Sequence, residues 1–198
     1  MSNTIETDLF GFSNNAHSIN SKRKGCTNER DCAKSLEEWT GVKFVRVPQS
    51  GGLRRQDTDK TVGDIIPDTL DKTFKFSFSV ETKHLKTIHV TPILRCSSHI
   101  FKIWNQAMSD AIRSHKLPMA LVRSNGMNKG EYYFILAASL GGTLMSMQVP
   151  VLFRGSNETH SIIGFMFSDV KKYLPYKKFA RVVEQSNFVV KSKLYILK

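Results

Sequence analysis

The segment Phe74-Lys75-Phe76-Ser77-Phe78-Ser79-Val80-Glu81-Thr82-Lys83 alternates apolar and polar side chains, the period of an extended strand with one buried face. Phe74, Phe76, Phe78 and Val80 line one face and Ser77, Ser79, Glu81 and Lys83 the other, so Glu81 and Lys83 emerge side by side at the strand's end. Asp64 lies in the preceding apolar run Val62-Gly63-Asp64-Ile65-Ile66, close enough in sequence for the two strands to pair directly. Two carboxylates and an ammonium then converge at one edge. Such a group suits phosphodiester hydrolysis: carboxylate oxygens are hard ligands for magnesium, and the metal stabilises charge on the phosphate while lowering the pKa of an attacking water. The lysine orients that water or offsets the developing negative charge. A bare Asp followed by Glu-x-Lys also describes a solvated strand edge with an ordinary ion pair. The setting favours chemistry, because between Lys72 and Lys129 ten Lys or Arg face only two acids, Glu81 and Asp110.

Glu29 adds a carboxylate three, four and seven residues before Cys32, Ala33 and Leu36, which aligns it with the buried stripe of a helix. An acid aimed at its own core points to a functional role; the alternative is a frayed first turn, where a carboxylate favours the helix dipole.

These residues need elements to position them. Cys32, Ala33, Leu36 and Trp39 recur at helical spacing over Asn28 to Thr40, with Asn28 as the expected cap and Gly41 just past the end. Val42 to Val47 reads as a strand entering the glycine-rich turn Pro48 to Gly52, and Val62 to Ile66 as a short strand stopped by Pro67-Asp68. Ile100, Ile103, Trp104, Ala107, Ala111 and Ile112 predict a second helix over Ser98 to His115, halted near Pro118. Met119 to Arg123 and Tyr132 to Ala138 read as strands around a turn-rich loop. Beyond Gly141 the pattern weakens: strands are expected near Met145 to Phe153 and Ser161 to Phe167, a helix near Lys177 to Gln185, and a last strand near Phe188 to Leu197.

With 198 residues, 40% of them apolar, the chain suits one well-buried core. A net charge of +12 points to a polyanionic partner, nucleic acid before an acidic membrane. No apolar run is long enough to span a bilayer. The first twenty residues contain no Lys or Arg and no apolar block, so they are expected to be a flexible arm rather than a secretory signal. Residues 1–21 are taken as that arm, and 22–198 as a single domain, with a core to about 140 and a C-terminal extension over 141–198. Cys26, Cys32 and Cys96 have neither the number nor the spacing of a disulfide framework or zinc cluster, and a cytoplasmic protein with reduced thiols is expected. The six histidines, His84 and His89 among them, lack helix-face metal spacing beside a Glu. No glycine-rich run ends in Gly-Lys-Ser/Thr, so no nucleotide cofactor is expected.

Taken together, Lys24-Gly25, Glu29-Arg30, Arg46-Val47-Pro48-Gln49-Ser50-Gly51-Gly52, Gly63-Asp64-Ile65 and Ser79-Val80-Glu81-Thr82-Lys83-His84 resemble the PD-(D/E)xK nuclease superfamily. Within it the likeness is to archaeal-type Holliday junction resolvases and related phage nucleases. It spans roughly residues 22 to 123. The resemblance implies an α/β fold with a restriction-endonuclease-like core, a mixed central sheet flanked by helices, magnesium (or manganese) dependence and cleavage of DNA. Carried over by position, Asp64, Glu81 and Lys83 become the metal and catalytic residues, Thr82 a further ligand, Glu29 a metal-proximal acid, and Ser50 an active-site loop hydroxyl. Lys22, Arg23, Lys24, Arg30, Arg46, Arg54 and Arg55 would contact the nucleic acid. Gln106 resembles the glutamine that follows this motif in several nucleases, although a polar helix flank is its default reading. The family's Pro-Asp pairing falls at Pro67-Asp68 rather than Gly63-Asp64, making Asp68 the alternative ligand; Asp64 is preferred because Asp68 follows a proline in a turn.

The expected protein is thus a metal-dependent endodeoxyribonuclease, a resolvase-like homodimer acting on branched DNA, in a host cytoplasm if it is a phage protein. A sequence-specific or repair nuclease of the same fold remains open. So does a catalytically inert nucleic-acid-binding protein with the same basic sheet.

Overall fold

The computed structural model describes residues 13–47, 63–71, 73–88 and 99–185, with side chains from residue 23 onward. Among these residues it holds seven strands and five helices. In chain order they are α1 (Ser13–Thr40), β1 (Phe44–Arg46), β2 (Ile65–Pro67), β3 (Phe78–Leu85), α2 (His99–Ser114), β4 (Leu117–Ser124) and β5 (Tyr133–Ala137). Then follow α3 (Ala138–Ser146), β6 (Val151–Ser156), β7 (Ser161–Met166), α4 (Phe167–Tyr173) and α5 (Tyr176–Gln185). The sheet order is β1-β2-β3-β4-β5-β7-β6. Only β3 and β4 run parallel, joined by the crossover that carries α2; every other pairing is antiparallel. This is the mixed sheet flanked by helices that the restriction-endonuclease-like core calls for.

Alternation along the strands divides the core in two. On one face, Phe78, Val80, Met119, Leu121, Phe134 and Phe165 pack under α1, α4 and α5. Trp39 is the hub there, within 5.1 to 5.8 Å of the Phe134, Phe167, Tyr176 and Phe179 rings, and its indole donates to the Leu174 carbonyl at 2.9 Å. On the other face, Ala120, Val122, Ile135 and Ile162 receive Ile100, Ile103, Trp104 and Ala107 of α2. α2 is the helix its spacing predicts, ending one residue before the expected His115.

The structure departs from the sequence expectation at several places. α1 begins at Ser13, so residues 13–21, expected as part of an arm, are helical, and Asn28 lies inside the helix rather than capping it. The strand expected from Phe74 starts at Phe78; Phe74 instead packs at a tilt against Tyr176 and Phe76 edge-to-face against Phe44. Met145 and Ser146, expected to begin a strand, belong to α3, and the strand starts at Val151. α4 was not anticipated. The turn expected around Ser50, the residues Arg54 and Arg55, and the strand expected over Phe188 to Leu197 lie outside the described residues.

Candidate active site

The site begins with a glycine. Gly63 sits at φ +102°, and a Cβ there would come within 3.0 Å of Ser79 Oγ and 3.1 Å of the Val80 carbonyl oxygen, a conformation and closeness that suit glycine alone. This turn delivers Asp64 to the sheet one residue before β2. Its amide donates to the Val80 carbonyl and its carbonyl accepts from Val47, both at 2.9 Å. Because Ile65 pairs with Val80 in antiparallel register, Asp64 falls opposite Glu81, and opposed residues of an antiparallel pair share a face. Asp64 Oδ2 then accepts the Thr82 amide at 2.9 Å.

Glu81 is 1% exposed. Lys83 brings its ammonium to 2.8 Å from Oε1 as an ion pair, and Oε2 is buried without a hydrogen-bond partner. Burial, then the neighbouring Asp64 charge, push its pKa up to about 8 against the pull of Lys83. Burial also acts to lower the Lys83 ammonium, yet Glu81, with Asp64 and Glu29 behind it, outweighs burial and raises its pKa. A buried carboxylate with one oxygen unpartnered beside a second carboxylate is electrostatically unfavourable as it stands. A divalent cation is the ligand that relieves it, so the donor set fits the metal that the motif implies. Thr82 can join only through its main-chain oxygen, since its hydroxyl accepts from Asn28 Nδ2 and donates to the Leu121 carbonyl, each at 2.9 Å. Among the described residues no cluster of three or more acids, histidines or cysteines is arranged to hold a metal, which leaves the pair Asp64 and Glu81 at the centre.

Around that pair the remaining expected residues divide. Glu29 is mostly buried, as its helical position predicts, and its carboxylate forms an ion pair with Arg46; this partner raises the arginine's pKa. Arg46, expected on phosphate, is therefore engaged by an acid. Gln106 is exposed on α2, one helical turn before Asp110, whose charge is felt at Glu81. Arg23 and Arg30 are exposed on α1, and Lys24 donates to Asn125 Oδ1 at 2.9 Å; the Lys22 side chain lies outside the described residues. Asp68 is exposed and pairs with Lys43 at 3.0 Å, three residues beyond Ile65 and away from Glu81. The sequence reading gave Asn28 only a helix-capping role and assigned no site role to the side chains of His84 and Arg123. The contacts that unite Asn28 with Thr82 and set His84 beside Arg123 are long-range, with no local signal.

A family model described as "Phage putative PDDEXK endonuclease" matches residues 20–173, a span that includes Glu29, Asp64, Glu81 and Lys83. No curated protein and no solved structure gives a significant match.

Proposed function

We propose, from the premise that this chain belongs to the phage PD-(D/E)xK endonuclease family, that it is a metal-dependent DNA endonuclease whose cation is held by Asp64, Glu81 and the main-chain oxygen of Thr82. The observation that carries this reading is the buried Glu81 carboxylate, opposite Asp64, with one oxygen paired to Lys83 and the other unpartnered. Magnesium, or manganese in its place, would supply charge neutralisation at the scissile phosphate and a water of lowered pKa.

The protein's own groups do the rest. Lys83, held beside Glu81, orients the attacking water and offsets negative charge as it develops on the phosphate. Glu29 acts in two ways, anchoring Arg46 and keeping a further negative charge near Lys83, which favours the charged ammonium. Arg23, Lys24, Arg30 and the loop residues Arg54 and Arg55 supply phosphate contacts, and Ser50 a hydroxyl to the same site. Gln106, exposed beyond the pair on α2, orients substrate or water. Among the described residues no helix is long and apolar enough to cross a membrane, and a basic chain of net charge +12 suits a nucleic-acid substrate.

The finer reading is a structure-selective enzyme acting as a homodimer on branched DNA, supported by the resolvase-like motifs. The deciding experiment incubates supercoiled plasmid with the protein and magnesium or manganese, with and without chelator. Nicking that the chelator abolishes is expected. Intact plasmid with every divalent metal tried, alongside tight DNA binding, would instead identify an inert binding protein.

A further inference from the structure

Between α1 and the carboxyl ends of the parallel strands β3 and β4 lies a cavity of about 290 Å³, lined by Arg23, Lys24, Asn28, Asp31, His84 and Arg123. Crevices outside the carboxyl ends of parallel strands are where open α/β sheets take ligands. His84 and Arg123 are register partners across the parallel pair, so their side chains leave one face of the sheet from adjacent points. By strand alternation this is the face opposite Glu81 and Lys83.

Among the buried polar atoms of the lining residues, His84 Nε2, Arg123 Nε and Asn28 Oδ1 make no well-formed hydrogen bond, although Asn125 stands beside the His84 ring and Tyr132 beside the Arg123 guanidinium. Buried polar atoms are nearly always satisfied, and incompletely bonded groups beside a cationic cavity mark a place where a ligand can add to the bonding. The groups are also held in position. Arg123 Nη2 donates to the Met127 carbonyl at 3.0 Å. Tyr132 donates its hydroxyl hydrogen to the Asn28 carbonyl at 3.3 Å. The Thr82 hydroxyl already donates to Leu121, so it can only accept from Asn28, which fixes the amide with its oxygen as the open atom. Charge favours an anion: Arg23, Lys24 and Arg123 outnumber Asp31, whose carboxylate has Lys129 at 3.6 Å. Arginine and histidine donors in a fixed cationic crevice suit phosphate oxygens, and Asn28 Oδ1 suits a water of the phosphate's hydration shell.

We propose that this crevice is a second phosphate subsite, seating a non-scissile phosphate of the nucleic acid across β3 from the metal-binding pair. The subsite rests on the nuclease reading for its ligand but not for its test, which needs no cleavage. The phosphate is either an internal diester or a terminal monoester, and the experiment separates them.

Full-length protein carrying Asp64→Asn is compared with the same protein carrying Arg123→Gln or His84→Gln in addition. Each is titrated over a range of salt with closed circular DNA, with linear duplex bearing 5′-phosphates and with the same duplex bearing 5′-hydroxyls. Arg123→Gln is expected to weaken binding roughly tenfold and to reduce the slope of log affinity against log salt by about 0.9, one phosphate contact. Loss on all three DNAs identifies an internal diester; loss confined to the 5′-phosphate duplex identifies the terminal monoester. Inorganic phosphate is expected to shift the imidazole resonance that His84→Gln removes. Unchanged affinity and slope in both variants, on every DNA, overturns the subsite even if the wild-type protein cuts plasmid. Should circular dichroism show Arg123→Gln to be unfolded, Lys24→Gln beside His84→Gln carries the same comparison.

Discussion

At the scale of single residues, Glu81 sets stability and function against each other. It buries a carboxylate beside Asp64 with one oxygen unpartnered, a cost that a bound cation would relieve and an amide would avoid. Glu81→Gln should therefore stabilise the metal-free protein by about 1–3 kcal/mol while reducing cleavage by at least about a thousandfold, and Asp64→Asn should reduce it similarly. Affinity for DNA should stay within several-fold in both, because the basic surface supplies most of it. The pH dependence has a definite sign. A carboxyl whose folded pKa stands near 8 rather than 4.5 binds its proton more tightly when folded. Its contribution is thus fully present below about pH 4.5 and is lost as pH rises through about 8. Denaturant titrations of metal-free wild type and Glu81→Gln should accordingly diverge between those limits, and magnesium added at pH 8 should raise the wild-type Tm but not that of Glu81→Ala. Parallel stability curves, or wild-type cutting by Glu81→Gln, would remove Glu81 from the site. Glu81 and Lys83 were legible in the sequence because strand alternation places them on one face without any knowledge of tertiary contacts. Asp64 was legible because it precedes them closely enough for a direct antiparallel pairing. Glu29 was legible as an inward acid, but its Arg46 partner was not, since that contact joins a helix to a strand across an intervening turn.

At the scale of elements, the glycine before Asp64 and the tryptophan under the sheet mark what holds the site in place. Gly63→Ala should cost about 1–3 kcal/mol through backbone strain, and also displace Asp64 from its position opposite Glu81, so cleavage should fall more than a stability loss of that size explains. A variant that is destabilised yet fully active would show that Asp64 tolerates the shift. Trp39→Ala empties the ring cluster joining α1 to α4 and α5 and should cost about 3–5 kcal/mol, read as a large drop in Tm. The elements around this cluster were unequally legible. α2 declares itself by apolar spacing, as does the core of α1. α3 does not: Ala137-Ala138-Ser139-Leu140-Gly141-Gly142 continues an apolar strand without a capping residue, and two glycines argue against helix. Packing overrides that local preference. A Cβ on Gly141 would lie 1.8 Å from Ile163 Cγ2, so the glycine lets α3 approach β7 closely enough to bury Leu140 and Leu144. Such a reason exists only once β7 is in place, and no reading of a short window contains it.

At the scale of the whole molecule, the excess of basic groups and the number of active sites decide what the enzyme can cut. A net charge of +12 makes affinity fall steeply with salt, by about 0.9 of a logarithmic unit per tenfold salt for each phosphate contacted; a flat titration would remove phosphate contact as the main source of binding. One site cuts one strand. Resolving a four-way junction symmetrically needs two copies related by a two-fold axis, with the same patch of each facing the other, so the resolvase reading requires a homodimer. Among the described residues β6 lies at one edge of the sheet and β1 at the other. β6 exposes Leu152, and the end of α3 exposes Met145 nearby in sequence. Met147, Phe165 and Phe167, by contrast, are partly or fully buried under the sheet's own helices, so the C-terminal third spends most of its apolar surface on the protein's own core. An interface built there would use the β6 edge and the exposed residues beside it. The comparison that tests this is cleavage of a mobile four-way junction against linear duplex of the same sequence, with the mass measured in solution at the same protein concentration. Paired incisions across the junction by a species of twice the chain mass are expected, and Leu152→Lys should shift that mass toward the monomer while each copy retains its metal site. Equal cutting of plain duplex, or a monomer at every concentration, would redirect the assignment to a repair or restriction nuclease with Asp64, Glu81 and Lys83 unchanged.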